Sequence, residues 1–545
     1  MNSVSRSWRT IWGSASTVWL LVLSFFEWLF SATSISQARG FDHRKGQTVL
    51  KRDCCTWDDW KELATAVDKK SGRWKGRFDP ISDKYDYSLI ERCTSTLKLY
   101  RTKREAYPML MFLRSSLLRN FGNIGDSGLY TENYSGTKIL IEEYVREVNR
   151  CLEFLFLTKK LSLEEKHGFY SAAKVSFGTT CLYFNGGTAF GLYHFGVAKA
   201  LWERSLLPRV LAGSASGALI AAFLGVHRDE ELDGLFQTFP DELWEICKST
   251  SDYSLAKVIK YGNMLDISMI ASFVHKCVGD LTFQEAFEKT NRATNIIAPP
   301  SVTSGSPQVL NYHTAPNVLV WSATCASNSW AAIYRSTSLL AKSPDGTVEV
   351  CTPENFVWPY ASMHHPTRPN SYARISELFN VNHFIITQSR PSLFPTFHDE
   401  LYHHKHTGYT LKVIRLFGLE MAYRFRQMDI LGLLPIKLRR FLVDDFIPSA
   451  YITLTPTFSF SDIRHAFTKP SLQDIQYWIL VGERATWQAI PLLLIRCKNE
   501  FSLNDYCEQI AFSKTTKIPL DSISTPFVMA LEESEDKLLK NFKVK

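Results

Sequence analysis

Two glycine-rich turns carry the residues of this sequence that are best suited to chemistry. The first is the run Asn185-Gly-Gly-Thr-Ala-Phe-Gly191, which follows a short apolar segment and opens a helix-like one. Adjacent glycines let backbone N–H groups face inward at a helix N-terminus, where they stabilise an anion or an oxyanion. Gly186, Gly187 and Thr188 are therefore the predicted oxyanion-binding residues. The plain alternative is a simple turn at the end of a strand.

The second turn is the run Gly213-Ser-Ala-Ser-Gly217, which again lies between a strand-like and a helix-like segment. Small residues suit the sharp turn of a nucleophile elbow, in which bulky flanks would clash. Its centre, Ala215, has no nucleophilic atom, and serines stand on both sides of it. A shift by one residue makes Ser216 the candidate nucleophile and Ser214 the alternative. Equally, both serines can serve only to satisfy backbone groups at a helix N-terminus.

The elements around these turns alternate between short apolar strands and helices. We expect strands at Thr180–Phe184, Arg209–Ala212, Asn317–Ser322 and Asn382–Gln388, and helices at Gly191–Glu203 and Gly217–Gly225. Strand, turn and helix repeated in this order predict parallel strands joined by right-handed crossovers. Ligands of such sheets bind at the carboxyl ends of the strands, so we expect both turns at one edge.

The composition fits a protein with a large buried core and excludes several classes. Of 545 residues, 45% are hydrophobic and 13% aromatic, which rules out a disordered or collagen-like chain. A formal charge of +8 is too dilute to indicate nucleic-acid binding but is compatible with an anionic lipid surface. The eleven cysteines are scattered, which indicates neither a zinc site nor a secreted disulfide framework. His403-His-Lys-His406 lacks further ligands, so no metal or cofactor is predicted.

The N-terminal segment Ile11–Phe30 is predicted to be a helix that associates with lipid. It is rich in Trp, Leu and Phe, carries no charge before Glu27, and follows Arg6 and Arg9. A single span and an amphipathic anchor both remain open, and a cleaved signal peptide is a less favoured alternative. A second lipid-facing candidate is the basic stretch 411–440, for which an ordinary solvated helix face is an equal alternative.

These motifs together resemble the start of a patatin-like phospholipase domain. The matching residues are Gly186-Gly187, Gly191, His194-Phe-Gly196, Leu206-Leu-Pro-Arg-Val210 and Gly213-Ser-Ala-Ser-Gly217. The preceding helical region and later segments are similar to those of the fungal and plant lipid-droplet triacylglycerol lipases, notably Ile375-Ser-Glu-Leu-Phe-Asn-Val-Asn-His-Phe384 and Gly482-Glu-Arg-Ala-Thr-Trp487. The resemblance runs from about Trp57 to Glu500.

The resemblance implies an α/β fold, a patatin-like three-layer sandwich around a central, mostly parallel sheet. A helical domain and the N-terminal membrane segment precede it. The expected divisions are a membrane anchor and linker (1–53), a helical domain (54–170), a patatin-like α/β lipase domain (171–400) and a C-terminal region (401–545).

The resemblance also implies a serine–aspartate dyad, with the serine at the centre of the elbow and the glycine-rich loop binding the oxyanion. This sequence departs from that pattern twice. The elbow centre is Ala215, and the run Met363-His-His-Pro-Thr-Arg-Pro-Asn-Ser371 replaces the aspartate motif. The base is therefore unknown. His364 and His365 are considered for it but are better explained as an exposed pair, and residues 358–371 are either a divergent loop or a mis-joined segment.

Two functions follow from this resemblance. The expected one is hydrolysis of lipid esters, as a triacylglycerol lipase or a phospholipase or lysophospholipase. It would act at a membrane or lipid-droplet surface, on the cytosolic face of the endoplasmic reticulum or on a droplet. The alternative is a catalytically inactive relative that binds lipid surfaces, because Ala215 and the missing aspartate are two separate losses of chemistry. The oligomeric state stays open.

Overall fold

The protein is built around a mixed, mostly parallel β-sheet, which we describe from a computed structural model. The structure describes residues 54–186, 191–249, 267–298, 308–328, 339–351, 371–388, 452–456 and 471–516, together with 416, 420–421, 423–425, 427–428 and 431. The predicted membrane segment Ile11–Phe30 and most of the stretch 411–440 lie outside the described residues. In the described part of the chain, no helix is long and apolar enough to cross a bilayer.

The strands place both glycine-rich turns at one edge of the sheet. In the described segments they are β1 (Thr179–Asn185), β2 (Val210–Ser214), β3 (Ala293–Ala298), β4 (Gln308–Leu310), β5 (Leu340–Lys342), β6 (Val348–Val350), β7 (Val381–Gln388) and β8 (Ile452–Leu454). One sheet has the order β4-β3-β2-β1-β7-β8, and β5 pairs with β6 separately. All neighbours in the larger sheet are parallel except β3 and β4. The carboxyl ends of the parallel strands therefore share an edge.

Helices precede the sheet and cover both of its faces. Those described are α1 (Trp57–Lys70), α2 (Lys75–Phe78), α3 (Tyr87–Lys103), α4 (Ala106–Ser116), α5 (Ile139–Leu157), α6 (Leu163–Phe177), α7 (Leu192–Glu203), α8 (Ser216–Val226), α9 (Asp229–Ser249), α10 (Ile267–Val278), α11 (Phe283–Thr290), α12 (Val320–Asn328), α13 (Ser371–Phe379) and α14 (Leu472–Thr516). Leu182 and Phe184 of β1 join the core formed with α7 and α8, whereas Cys181 and Tyr183 join the core formed with α13. This alternation produces the layered α/β arrangement that the sequence predicts.

The N-terminal helical region shares one apolar core with the sheet. One face of α5, which includes Ile141, Val148 and Leu155, is buried. α14 packs against α5, α6 and α7. One cluster of buried apolar side chains therefore joins the helical region, α14 and the sheet. The domain bounds 54–170, 171–400 and 401–545 stay predictions.

Most of the predicted elements around the site are confirmed, and one strand is wrong. The strands expected at Thr180–Phe184 and Asn382–Gln388 correspond to β1 and β7. The segment Asn317–Ser322 is not a strand, because only Val318 and Leu319 make isolated bridges before α12 begins. A short apolar run fits a buried strand and a buried helix equally well. In this structure the end of the run is helical, because α12 packs against β3 and α8.

A buried ion pair ties the helical region, the sheet and α14 together at the amino end of β1. Arg119, which follows α4, donates hydrogen bonds to Thr180 Oγ1 at 3.0 Å and Glu500 Oε2 at 2.9 Å. Glu500 Oε1 accepts the Thr180 N–H at 2.7 Å. The side chains of Arg119 and Glu500 are only 12% and 4% exposed, so each charge depends on the other for its stabilisation.

Replacing Arg119 with Met leaves the Glu500 carboxylate buried without its partner. We expect the free energy of unfolding to fall by about 3 kcal/mol, since an uncompensated buried charge is strongly destabilising. Equilibrium unfolding in urea measures the change. Arg374→Met is the matched control, because its pair with Glu377 is 44% and 67% exposed. That control should lose less than about 1 kcal/mol, and equal losses in both variants would contradict the role given to burial.

Candidate active site

The glycine-rich turn after β1 and the tight turn after β2 lie side by side. β1 and β2 are parallel neighbours, with Phe184 paired to Gly213 near their carboxyl ends. Gly186 follows β1 at a φ of +64°, which glycine adopts without steric cost. The structure therefore brings Gly186, Ser214 and Ser216 together, as the sequence predicts. Gly187 and Thr188 lie outside the described residues, and the Gly186 N–H donates to Ser214 Oγ, so the oxyanion role of all three residues stays a prediction.

The turn after β2 has the shape of a nucleophile elbow centred on Ala215. Ala215 has a φ of +52° and a ψ of −125°, a strained conformation for a residue with a Cβ atom. The chain turns from strand to helix at this one residue, because α8 begins at Ser216. Neither flanking glycine has room for a side chain. A Cβ atom would lie 2.3 Å from the Phe184 carbonyl oxygen at Gly217, and 2.3 Å from the Gly217 carbonyl oxygen at Gly213.

The hydroxyl groups of Ser214 and Ser216 link the elbow to the start of the glycine-rich turn. Ser214 Oγ accepts the Gly186 N–H at 3.0 Å and donates to Asn185 Oδ1 at 3.2 Å. Ser216 Oγ donates to the Gly186 carbonyl oxygen at 2.8 Å. Both side chains are half-buried, and both hydroxyl groups are hydrogen-bonded. These contacts support a structural role in holding Gly186, and the role of either serine as a nucleophile stays a prediction.

His194 also holds the Gly186 carbonyl, and Thr387 in turn holds His194. His194 Nε2 donates to Gly186 O at 3.0 Å, because a carbonyl oxygen can only accept. Nδ1 is then the acceptor of the Thr387 hydroxyl, at 2.6 Å. His194 and Thr387 are fully buried. The first peptide of the glycine-rich turn is therefore fixed by side chains from α7, α8 and β7.

Ser327 at the end of α12 supports the elbow from a distant part of the sequence. Its Oγ accepts the Ala215 N–H at 3.0 Å and donates to the Ile297 carbonyl oxygen at 2.6 Å. Sequence reasoning missed this residue, since no local signal connects positions 112 apart. His194 lies in the motif that resembles the family, but the sequence analysis assigns it no function. Its position in the first turn of a helix, directly after a glycine-rich loop, is the sequence signal that could have identified it.

Other nucleophiles and bases are scarce among the described residues of this edge. Burial raises the pKa of the Cys325 thiol on α12 to about 11, so it is not a thiolate at neutral pH. The described hydrogen bonds of Asn185, Gly186, Ser214 and Ser216 involve no carboxylate. His364, His365 and the run 403–406 lie outside the described residues. Within the described segments, no cluster of His, Cys, Asp and Glu could hold a metal ion.

Comparisons with known proteins match two regions of the chain to protein families. Residues 37–174 match a domain of unknown function (DUF3336), and residues 182–349 match the patatin-like phospholipase family. The chain is 71% identical to triacylglycerol lipase ptl1 of Schizosaccharomyces pombe, over 100% of both chains. It is 31% identical to triacylglycerol lipase ptl3 of the same yeast, over 85% of this chain and 97% of that protein. The chain belongs to the patatin-like phospholipase family.

Family membership confirms the resemblance, the mostly parallel α/β fold with its N-terminal helical region, and the predicted class of lipid ester hydrolase. The comparisons give no support to the catalytically inactive alternative. The ExoU–SpcU complex from the type III secretion system of Pseudomonas aeruginosa is 18% identical over 48% of this chain and 52% of that chain, with a TM-score of 0.20. A likeness that low carries no argument about this patatin-like protein.

The strained backbone of Ala215, at the centre of this patatin-like elbow, should lower the free energy of unfolding. Ala215→Gly should raise the free energy of unfolding by about 1 kcal/mol, because glycine adopts a positive φ without the strain of a Cβ atom. Ala172→Gly is the matched control, since Ala172 is exposed within α6 and its replacement should cost about 1 kcal/mol of helix stability. Urea unfolding of both variants gives the comparison. A loss of similar size in both would show that Ala215 carries no strain.

Proposed function

We propose that this protein hydrolyses the ester bonds of neutral acylglycerols, including triacylglycerol, at a lipid surface. The supporting observation is the Ala215 elbow beside Gly186, because such a strand–turn–helix can present a nucleophile and an oxyanion-binding turn to one substrate carbonyl. The substrate class comes from relatives named triacylglycerol lipases, one of them similar over the whole chain. Phospholipid and lysophospholipid esters are the alternative substrates.

Ser216 is our candidate nucleophile, and Ser214 is the alternative. The Ser216 hydroxyl donates one hydrogen bond, whereas Ser214 Oγ is held by two. Released from Gly186, Ser216 Oγ would attack the carbonyl carbon of the ester, and the alcohol portion would leave with a proton. Water would then hydrolyse the acyl-serine to the fatty acid and the free serine. Gly186, Gly187 and Thr188 are the proposed oxyanion-binding residues.

We expect this chemistry to be slow. A general base contributes on the order of 10²–10⁴ in rate, and the described hydrogen-bond network offers no carboxylate for that role. The base stays unassigned in this proposal. Because the run 363–371 just before Ile375 lacks the family's aspartate motif, replacing Ala215 with Ser alone should not restore the rate of a complete dyad.

Ser216→Ala, Ser214→Ala and the double variant test the serine mechanism. We expect Ser216→Ala to lower hydrolysis of a neutral acylglycerol the most, by about 100-fold or more, because the nucleophile is lost. A fluorophosphonate ester probe reports the same serine by covalent labelling. Ser322→Ala is the control, since this buried α12 hydroxyl donates to the Leu319 carbonyl oxygen away from the elbow. Undiminished hydrolysis in the double variant would eliminate the mechanism, and an inactive parent would favour the inactive alternative.

We further propose that the protein works on the cytosolic face of the endoplasmic reticulum or on lipid droplets. The support is the uncharged, Trp- and Leu-rich run within Ile11–Phe30 and the basic stretch 411–440. Both segments fall largely or wholly outside the described residues. A water-insoluble substrate also requires an enzyme to meet it at an interface.

Deleting residues 1–36 should move the protein from the membrane fraction to the soluble fraction. The physical reason is the loss of the apolar surface that Ile11–Phe30 would bury in lipid. Flotation on a density gradient, with the full chain alongside, measures the distribution. Retention of the shortened protein on membranes would place the anchor elsewhere, with 411–440 as the next segment to neutralise.

A further inference from the structure

Three polar side chains lie together where neighbouring strands end, on the face of the sheet that α13 covers. Asn185 ends β1 and is paired in register with Gln388, which ends β7. Each lies two residues beyond a member of the α13-side core, Tyr183 and Ile386 respectively, so both occupy that face. Ser214 ends β2 and donates its hydroxyl to Asn185 Oδ1 at 3.2 Å. The group therefore adjoins the residue at the centre of the elbow.

The amides of Asn185 and Gln388 are buried without complete hydrogen bonding. The two residues are 3% and 1% exposed. Within the described part of the chain, Asn185 Nδ2 and both polar atoms of the Gln388 amide have no hydrogen-bond partner. A native fold ordinarily satisfies such groups, because an unpaired buried amide loses its hydration without compensation. Two such amides side by side at a candidate site indicate a ligand group that supplies the missing partners.

Asn295 on β3 is a buried side-chain amide whose polar atoms all have hydrogen-bond partners, and it serves as a comparison. Asn295 is fully buried. Its Nδ2 donates to the carbonyl oxygens of Leu211 at 3.0 Å and Ala293 at 3.1 Å. Its Oδ1 accepts from Asn311 Nδ2 at 2.9 Å. The same sheet therefore satisfies an amide fully in its interior and leaves two unsatisfied at the carboxyl edge.

The unpaired atoms define the chemistry of the ligand. Asn185 Nδ2 and Gln388 Nε2 offer donors, and Gln388 Oε1 offers an acceptor, since Asn185 Oδ1 already accepts from Ser214. A hydroxyl group both accepts and donates and so matches this set. The described hydrogen-bond partners here are neutral amides, hydroxyls and backbone groups. An ionic headgroup would be desolvated in this place without a counter-charge, which disfavours it strongly.

We propose that the Asn185–Gln388 amide pair binds the free hydroxyl of a partial acylglycerol, a diacylglycerol or a monoacylglycerol. The inference deepens the proposed function and rests on it, because it names the part of the same site that distinguishes one acylglycerol from another. Triacylglycerol has no hydroxyl to offer this pair. Partial acylglycerols therefore gain a contact that the fully esterified lipid lacks, and the pair acts as a specificity determinant.

Gln388→Met tests the assignment, because methionine keeps the length of the side chain and removes the amide. We expect kcat/KM for 1,2-diacylglycerol to fall about tenfold, mostly through KM, and to fall less for triacylglycerol. The melting temperature of this variant should not fall, since it loses an unpaired amide. Asn295→Leu is the matched control, and its melting temperature should fall because it strips partners from Leu211, Ala293 and Asn311.

Binding of a lipid that cannot be hydrolysed separates this inference from the proposed function. The probes are 1-O-hexadecylglycerol, which carries two free hydroxyls, and its dimethyl ether, both in detergent micelles. Thermal shift should show that the parent protein binds 1-O-hexadecylglycerol more tightly than the dimethyl ether. The Gln388→Met variant should bind 1-O-hexadecylglycerol about tenfold more weakly than the parent protein does. A parent protein that hydrolyses no acylglycerol but still prefers the probe with free hydroxyls would overturn only the proposed hydrolase function. Equal binding of the two probes, equal losses on diacylglycerol and triacylglycerol, or a fall in melting temperature matching Asn295→Leu would overturn the hydroxyl site.

Discussion

The close approach of α8 to β1 at Gly217 constrains the whole carboxyl edge of the sheet. A Cβ atom at Gly217 would lie 2.3 Å from the Phe184 carbonyl oxygen, so the helix can begin this near the strand only at a glycine. The chain must then turn from β2 into α8 within one residue, and Ala215 makes that turn at a φ of +52°. The positions of Ser214 and Ser216, one on each side of the turn, follow from this packing. The elbow therefore keeps its shape although its central residue carries no nucleophile.

The two edges of the sheet hold different kinds of buried polar groups. At the amino edge, Arg119, Thr180 and Glu500 partner one another and join the helical region to α14. At the carboxyl edge, Asn185 and Gln388 keep unpaired amide atoms in a buried position. Arg119 Nε and His383 Nε2 at the amino edge also lack hydrogen-bond partners within the described residues. The unpaired amides of Asn185 and Gln388 differ from these atoms in their place, because a parallel sheet binds its ligands at the carboxyl edge.

The peptide of Gly186 is held more firmly than a simple glycine turn requires. Its carbonyl oxygen accepts from Ser216 and His194, and its N–H donates to Ser214. These hydrogen bonds fix the start of the glycine-rich turn in the resting state. Gly186 would bind an oxyanion only by exchanging its hydrogen bond to Ser214 Oγ for one to the substrate. A nucleophilic role for Ser216 would therefore exchange a structural hydrogen bond for a chemical one.

The sequence by itself determined the α/β class, both glycine-rich turns, their common edge and the family, because strand–turn–helix patterns and tight glycines are local signals. It left the segment at Asn317–Ser322 misassigned, since a short apolar run carries no period that separates helix from strand. Only the tertiary structure decided what the polar residues do. The partners of Gly186, Ala215 and His194 lie 28, 112 and 193 residues away in the chain, and no local pattern encodes such contacts. The unpaired amides of Asn185 and Gln388 likewise become visible only when β1 and β7 pair, because satisfaction of a hydrogen bond is a property of the folded neighbourhood.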